Sequence, residues 1–315
     1  MRLLIVKTSS MGDVVHALPV VADVLRHDPT VAIDWLVEAG YAAIPQLHPG
    51  VKRVLPMSWR KWRGALTSAA TWKAMRELKA ELQRDPYDLV LDLQGLVKSA
   101  LWARQARGPV AGYDRKSARE PLAAWAYARH ATVPKDLHAV QRCRLLAAAH
   151  LGYPAPKEPP DFGLRPPAPG WGPKAPYAVL IPNASRKEKR WPERHWVAVG
   201  KRLRERGLLP IVLWGTDDEQ TLAERIAADC EGDVPPFMRV GEMAAVLGGA
   251  RQVVGLDTGF THLAAALGRP TLGIYCDHEP GLAGITGPGR VASIGGKWQV
   301  PSRNDVLALV EQQLR

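Results

Sequence analysis

Asp257, Thr258 and Gly259 stand between a short apolar run (Val253, Val254, Leu256) and a stretch of small apolar residues from Leu263 to Leu267. Such a run suits a buried parallel strand, and either Asp257 or Thr258 caps the helix that follows. Gly268, Arg269 and Pro270 end that helix, and 271–275 begins another strand. A strand–turn–helix–strand unit of this kind aims free backbone N–H groups and the positive end of a helix dipole at one point, which is a place for phosphate. The same residues also serve a satisfied turn with no ligand, and their spacing leaves both readings open.

A turn of this type needs a sheet around it. Strand-like runs are expected at 2–7, 32–38, 51–55 and 88–93, and helices over 14–26, after the basic segment 58–63, from 94–95 through Lys98, over 119–129 and over 137–151. Pro19 lies near enough to the start of the first helix to be tolerated or to kink it. In the helix after 58–63, Trp72, Met75, Leu78 and Leu82 share one face. Proline is so dense over 154–176 that neither helix nor central strand can run through it. Beyond it, strands are expected at 177–181 and 208–214 and helices near 192–206, 218–228, 242–249 and 304–314. The fold class is α/β: domains 1–155 and 177–315, joined by a stiff linker at 156–176, carry doubly wound parallel sheets facing across a cleft, with ligands outside the strand C-termini. The last helix can cross back onto the first domain.

A length of 315 residues suits two cores. No apolar run approaches the span of a bilayer, and 2–6 is too short for a signal peptide, so a cytoplasmic chain is expected. Cys143, Cys230 and Cys276 are scattered, without disulfide or zinc spacing. A net charge of +11 calls for anionic company: nucleic acid, an anionic membrane surface or a phosphorylated substrate. Nucleic-acid-binding signatures are missing. Several tryptophans stand beside Arg or Lys, as in Trp59–Arg60–Lys61–Trp62–Arg63, which suits a surface touching both phosphate and acyl chain.

Five spaced segments, KTSSMGD at 7–13, QGLVKSA at 94–100, AREPLA at 118–123, KRWP at 189–192 and DTGFTHLAAAL at 257–267, resemble the bacterial ADP-heptose:lipopolysaccharide heptosyltransferases. The likeness is collinear from Met1 to the last helix. The first loop is similar to the branch that adds the first heptose to inner-core Kdo, with the second-heptose transferases as the alternative. The resemblance implies a GT-B fold of two Rossmann-like domains and an inverting transferase with no cofactor and no obligatory metal. It implies ADP-heptose as donor, Kdo2-lipid A as acceptor and a monomer bound peripherally to the anionic cytoplasmic face of the inner membrane, with no nucleic-acid partner. A nucleotide-sugar epimerase of the same fold and a non-catalytic binder of anionic surfaces are the rivals.

The family's roles transfer onto matching positions. Asp13 becomes the base that takes the acceptor hydroxyl's proton; capping the first helix is its structural alternative, and a helix N-terminus makes it a weak base. Lys189 becomes the cation that stabilises the departing ADP, with Ser185 a phosphate donor, Ala184 limited to a backbone contact, and Arg186 and Lys187 in reserve. Thr258 and Gly259 match the diphosphate turn, Asp257 holds that turn or touches heptose hydroxyls, and His262 donates to phosphate or sits in the core. Glu219 is placed to accept ribose hydroxyls, and Met238 to flank adenine or fill core. On the acceptor side stand Ser10, Gly12, Arg60, Lys61, Arg63, Lys98, Arg119 and His138, with Trp59 and Trp62 at the lipid headgroups; a solvated basic face is the rival for each cation.

Overall fold

The computed structural model describes every residue except Ser185, and Lys187 by its backbone alone. The chain folds as two compact units, Met1–Gly163 and Leu164–Arg315. Their division falls inside the proline-rich segment.

Along the first unit run β1 (Arg2–Val6), α1 (Met11–Ala17), α2 (Pro19–His27), β2 (Ala32–Glu38), α3 (Ala43–Gln46), β3 (Val51–Met57), α4 (Trp59–Trp62), α5 (Ala69–Gln83), β4 (Leu89–Asp92), α6 (Val97–Ala103), β5 (Val110–Tyr113), β6 (Arg129–Ala131) and α7 (Ala139–Leu151). The strands pair in parallel in the order β3-β2-β1-β4-β5-β6. Chain direction across the sheet reverses between β1 and β4, so the loops leaving these two strands splay apart and leave a crevice at the sheet's C-terminal edge. From Leu3 onward β1 is buried, as is all of β4, which is why both read as continuous apolar runs rather than alternating ones.

Three expectations for this unit need correction. The single helix over 14–26 is two, α1 and α2, meeting at Leu18 with Pro19 opening the second; proline has no N–H to continue the first helix but suits the start of another. The first helix also begins earlier, at Met11, so Gly12 and Asp13 lie inside it rather than in a loop. The helix over 119–129 is a short 3-10 segment, Pro121–Ala126, followed by β6. On α5 the shared face is buried only in its C-terminal half: Leu78 and Leu82 are buried, Met75 is half-buried and Trp72 is 48% exposed.

The second unit runs β7 (Tyr177–Ile181), α8 (Glu193–Glu205), β8 (Leu209–Val212), α9 (Asp217–Cys230), α10 (Val240–Gly249), β9 (Gln252–Leu256), α11 (Gly259–Ala266), β10 (Thr271–Tyr275), β11 (Val291–Gly295) and α12 (Arg303–Leu314). Its sheet is parallel in the order β11-β10-β9-β7-β8, so direction reverses between β7 and β9. The small residues of α11 let it lie close on the sheet, with Leu263 to Ala266 buried. The last helix, α12, packs on α8, β9 and β10 of its own unit. There the Gln313 side chain donates to Thr271 O and accepts from Gln252, each at 3.1 Å. Among the described residues no helix is long and apolar enough to cross a membrane.

Candidate active site

In the first unit the crevice residues are tied together across the reversal point. The Gln94 side-chain oxygen, just after β4, accepts the backbone N–H groups of Thr8 and Ser9, just after β1, at 3.0 and 3.2 Å. Buried Asp92 holds the β4 exit in turn, accepting from Gln94 N–H, Ser99 Oγ and Tyr127 Oη. Thr8 Oγ1, Gln94 Nε2 and Glu38 Oε2 are buried without a hydrogen-bond partner among the described residues. A buried polar atom left unpaired costs about 1–3 kcal/mol.

Asp13 occupies the third position of α1, and its carboxylate accepts from Ser10 N–H at 2.9 Å and Ser10 Oγ at 3.2 Å. The capping contact is therefore real, but it uses one oxygen. Arg119 reaches the same carboxylate at 3.2 Å, exposed enough to exchange partners. Burial pushes the Asp13 carboxyl up, yet the charges of Lys7 and Arg119, the Ser10 N–H and His16 outweigh it and hold the group below the usual carboxylate range. Lys7 is itself buried, its ammonium 2.9 Å from Leu93 O. His16 is buried edge-on against His138, the residue before α7, whose Nδ1 accepts Val140 N–H.

Lys98 on α6 donates to Ser9 Oγ at 3.2 Å, so it belongs to the same crevice. Burial pushes its pKa down, opposed by Glu38 and reinforced by Arg60 and Arg63. Arg60 lies over the Tyr41 ring at 5.3 Å and its backbone N–H donates to Glu38. Arg60, Lys61 and Arg63 are exposed, and Trp59 is half-buried. Trp62 contradicts its expected place at the headgroups: it is 6% exposed and packs against Trp102 at 5.6 Å, because the short α4 turns it into the core.

In the second unit the reversal point lies between the 182–189 loop, after β7, and the Asp257 turn, after β9. Lys189 bridges them, with its ammonium 2.5 Å from Asp257 Oδ2 and 3.4 Å from Asp257 O. His262 Nε2 lies 3.3 Å from the other carboxylate oxygen, and His278 Nδ1 lies 3.6 Å from Oδ2. Burial pushes the Asp257 carboxyl up, but the His262 hydrogen bond and the Lys189 ammonium prevail and hold it far below the usual range. Thr258 is the residue that caps α11, yet its side chain makes no capping bond; its hydroxyl lies 3.3 Å from that of Thr261. The helix start thus keeps its N–H groups for an anion. Arg186 pairs with Asp277 at 2.6 Å, fastening the Lys189 loop to the segment after β10. Ala184 is buried, and Ser185 lies outside the described residues.

Glu219 stands in the first turn of α9 and accepts Gly215 N–H at 2.9 Å, which leaves its second oxygen for another donor. Met238 is 9% exposed and fills core, so it offers little face to a base. Its neighbour Phe237 is 63% exposed and stands edge-on to Trp214 at 5.8 Å, a better apolar platform that sequence reasoning passed over. Lys7, His16, Gln94, Asp277 and His278 were also missed. Lys7 and Gln94 lay inside the quoted segments, but their reach toward Asp13 and across the reversal point depends on the sheet order.

Residues 75–306 match the profile of glycosyltransferase family 9 (heptosyltransferase). The chain belongs to that family. It is 44% identical over 294 residues to lipopolysaccharide heptosyltransferase 1 of Pseudomonas aeruginosa, covering 92% of this chain and 83% of the relative. Against the protein of the same name from Escherichia coli K12 the identity is 42%, over 90% of each chain. Among solved structures, the E. coli heptosyltransferase WaaC with ADP superposes with a TM-score of 0.92 at 39% identity, covering 99% of this chain and 100% of that one. E. coli ADP-heptose lps heptosyltransferase II, at 19% identity and a TM-score of 0.79, shares the fold. So the architecture is the expected α/β, GT-B one, a parallel sheet in each unit.

Proposed function

We propose that this chain is an inverting transferase that moves L-glycero-D-manno-heptose from ADP-heptose to a Kdo hydroxyl of Kdo2-lipid A. The observation that carries the reading is Asp13, an ionised carboxylate at the reversal point of one sheet, ringed by the cations an anionic acceptor needs. Similarity to heptosyltransferases over nine-tenths of the chain supports the same conclusion. The second reversal point supplies the donor side: the α11 start and Thr258 for the diphosphate, Lys189 for the charge that develops on it, and Glu219 and Phe237 for ribose and adenine.

In the reaction the acceptor oxygen forms a bond to the anomeric carbon while the bond from that carbon to the β-phosphate oxygen breaks. ADP leaves with the bonding pair, and the hydroxyl proton passes to Asp13. A carboxylate this acidic is a poor base toward a resting alcohol, so transfer comes late, once the attacking oxygen has become acidic. An acceptor carboxylate that draws Arg119 to itself also weakens the hold on Asp13 and raises its basicity. On the donor side a diphosphate competes with Asp257 for the Lys189 ammonium, freeing Asp257 for sugar hydroxyls. The protein works as a peripheral enzyme on the cytoplasmic face of the inner membrane, where its positive charge meets anionic lipid.

Following ADP release from ADP-heptose tests the reading. Turnover should require Kdo-lipid A, and Asp13→Asn should lower it by roughly 10²–10⁴-fold. Near-wild-type turnover of that variant at saturating substrates would remove Asp13 as the base. ADP release without acceptor would favour the epimerase-like rival.

A further inference from the structure

The exposed half of α5 has a companion. Trp72 and Met75 of α5, Leu101 and Trp102 of α6, and Trp59 line a groove of about 480 Å³. That volume lies within the roughly 300–1,000 Å³ of small-ligand sites. Leu101 is 57% exposed and Trp72 is 48% exposed, and the Trp72 indole N–H holds exposed Leu66 beside it through Leu66 O at 2.7 Å. Leu122 and Trp125, also exposed, sit on the 3-10 segment against which α6 packs. Large apolar side chains are thus gathered on adjoining elements of one unit rather than scattered singly, and a gathered patch of this kind marks an interaction surface.

Charge selects the occupant. Arg76, Lys79 and Lys98 line the groove, and no carboxylate does. Arg76 and Lys79 are exposed and make no ion pair among the described residues. An apolar slot with a cationic rim fits a ligand that is hydrocarbon at one end and anionic at the other.

We infer that the α5–α6 groove takes one acyl chain of an anionic bilayer phospholipid, whose headgroup rests on Arg76 and Lys79. Attachment to the membrane then runs through Trp72 and Leu101, not through Trp62, which the core has claimed. Because Lys98 reaches from the groove to Ser9, two residues before the start of α1 and three before Gly12, a lipid seated there lies next to the acceptor crevice. The inference rests on the peripheral attachment in the reading above. Vesicle retention is measured without turnover, and ADP release from soluble substrates tests the transfer separately.

The full chain is sedimented with vesicles of phosphatidylglycerol in phosphatidylcholine, and its tryptophan fluorescence is recorded with chains brominated at increasing depth. Wild type should be retained in proportion to phosphatidylglycerol content and quenched by bromines below the headgroup. Leu101→Glu with Trp72→Glu, and separately Arg76→Glu with Lys79→Glu, should lower retention by about tenfold or more. Both pairs are exposed, and circular dichroism checks that they fold; ADP release with a fully deacylated, water-soluble acceptor should be unchanged. Retention of the Leu101/Trp72 variant at wild-type level, absence of quenching, or quenching only when acylated acceptor is in the vesicle would each overturn the assignment. So would loss of turnover on the deacylated acceptor by a folded variant.

Discussion

Asp13 is held below the ordinary carboxylate range although its burial works the other way, so the balance rests on neighbours that can be removed one at a time. Of Lys7, His16 and Arg119, only Arg119 is exposed. The active form of a base is the carboxylate, so kcat/KM should stay level as pH falls and drop only where Asp13 protonates, below the usual range. Arg119→Gln deletes one lowering charge and leaves burial in place, so the acidic limb should move to higher pH. A pH profile reads this even if the variant also binds acceptor less well, because the limb's position is independent of its height. An unmoved limb would mean that some other group is being titrated. Arg60 and Arg63 act differently: they lie on and just after α4, are exposed, and their side chains pair with no carboxylate among the described residues. Reversing both to Glu should abolish binding to Kdo-lipid A micelles while ADP-heptose affinity stays intact; unchanged micelle binding would take them out of the acceptor site.

Between residues and chemistry stand the strand–turn–helix elements, and these were the most legible part of the chain. β9, its turn and α11 could be read because a buried strand, a polar break and a small-residue helix each leave a separate mark. What escaped were strands at the sheet edges or without a long apolar run: β5 has four residues, β6 three with Arg129 and His130 exposed at its edge, and β11, at the other sheet's edge, is only half-buried. The boundary at Leu18 was half visible, since Pro19 announces a break without saying whether the helix bends or restarts. Lys189 was found by its segment, but its pairing with Asp257 was not, because 68 residues separate them and only the β7–β9 neighbourhood brings them together. Gly255 shows how tightly that neighbourhood is built. A side chain there would run into Thr261 Oγ1 and press on Ile181, and Thr261 is the residue whose hydroxyl ties α11 to Leu256 O at 2.6 Å. Gly255→Val should therefore cost about 1–3 kcal/mol of stability. It should weaken ADP binding too, because the turn moves with the helix start. A thermal melt and a titration of ADP on the same preparation check both. Loss of stability with unchanged ADP affinity would separate the turn from the nucleotide site.

At the scale of the molecule, each unit has its own sheet and its own buried apolar cluster, one around Leu4, Val90 and Trp102, the other around Leu180, Trp196 and Val254. A ligand stabilises the part that holds it, by about 2.7 kcal/mol at a hundredfold excess over Kd. For a unit of this size that amounts to roughly 5–10 °C. Calorimetry with saturating ADP should accordingly raise one melting transition and leave a second nearly where it was, since the residues placed against the nucleotide all belong to Leu164–Arg315. Two variants fix the assignment. Lys189→Ala should shrink the shift, because Lys189 is the cation nearest the Asp257 turn. Asp13→Asn should leave the shift intact, because its carboxylate is bound up with Ser10 and Arg119 in the other unit. A single transition that moves as a whole would mean the units unfold as one body. A shift that survives Lys189→Ala in full but disappears with Asp13→Asn would place the nucleotide on the first sheet, and with it the donor and acceptor roles would have to be exchanged.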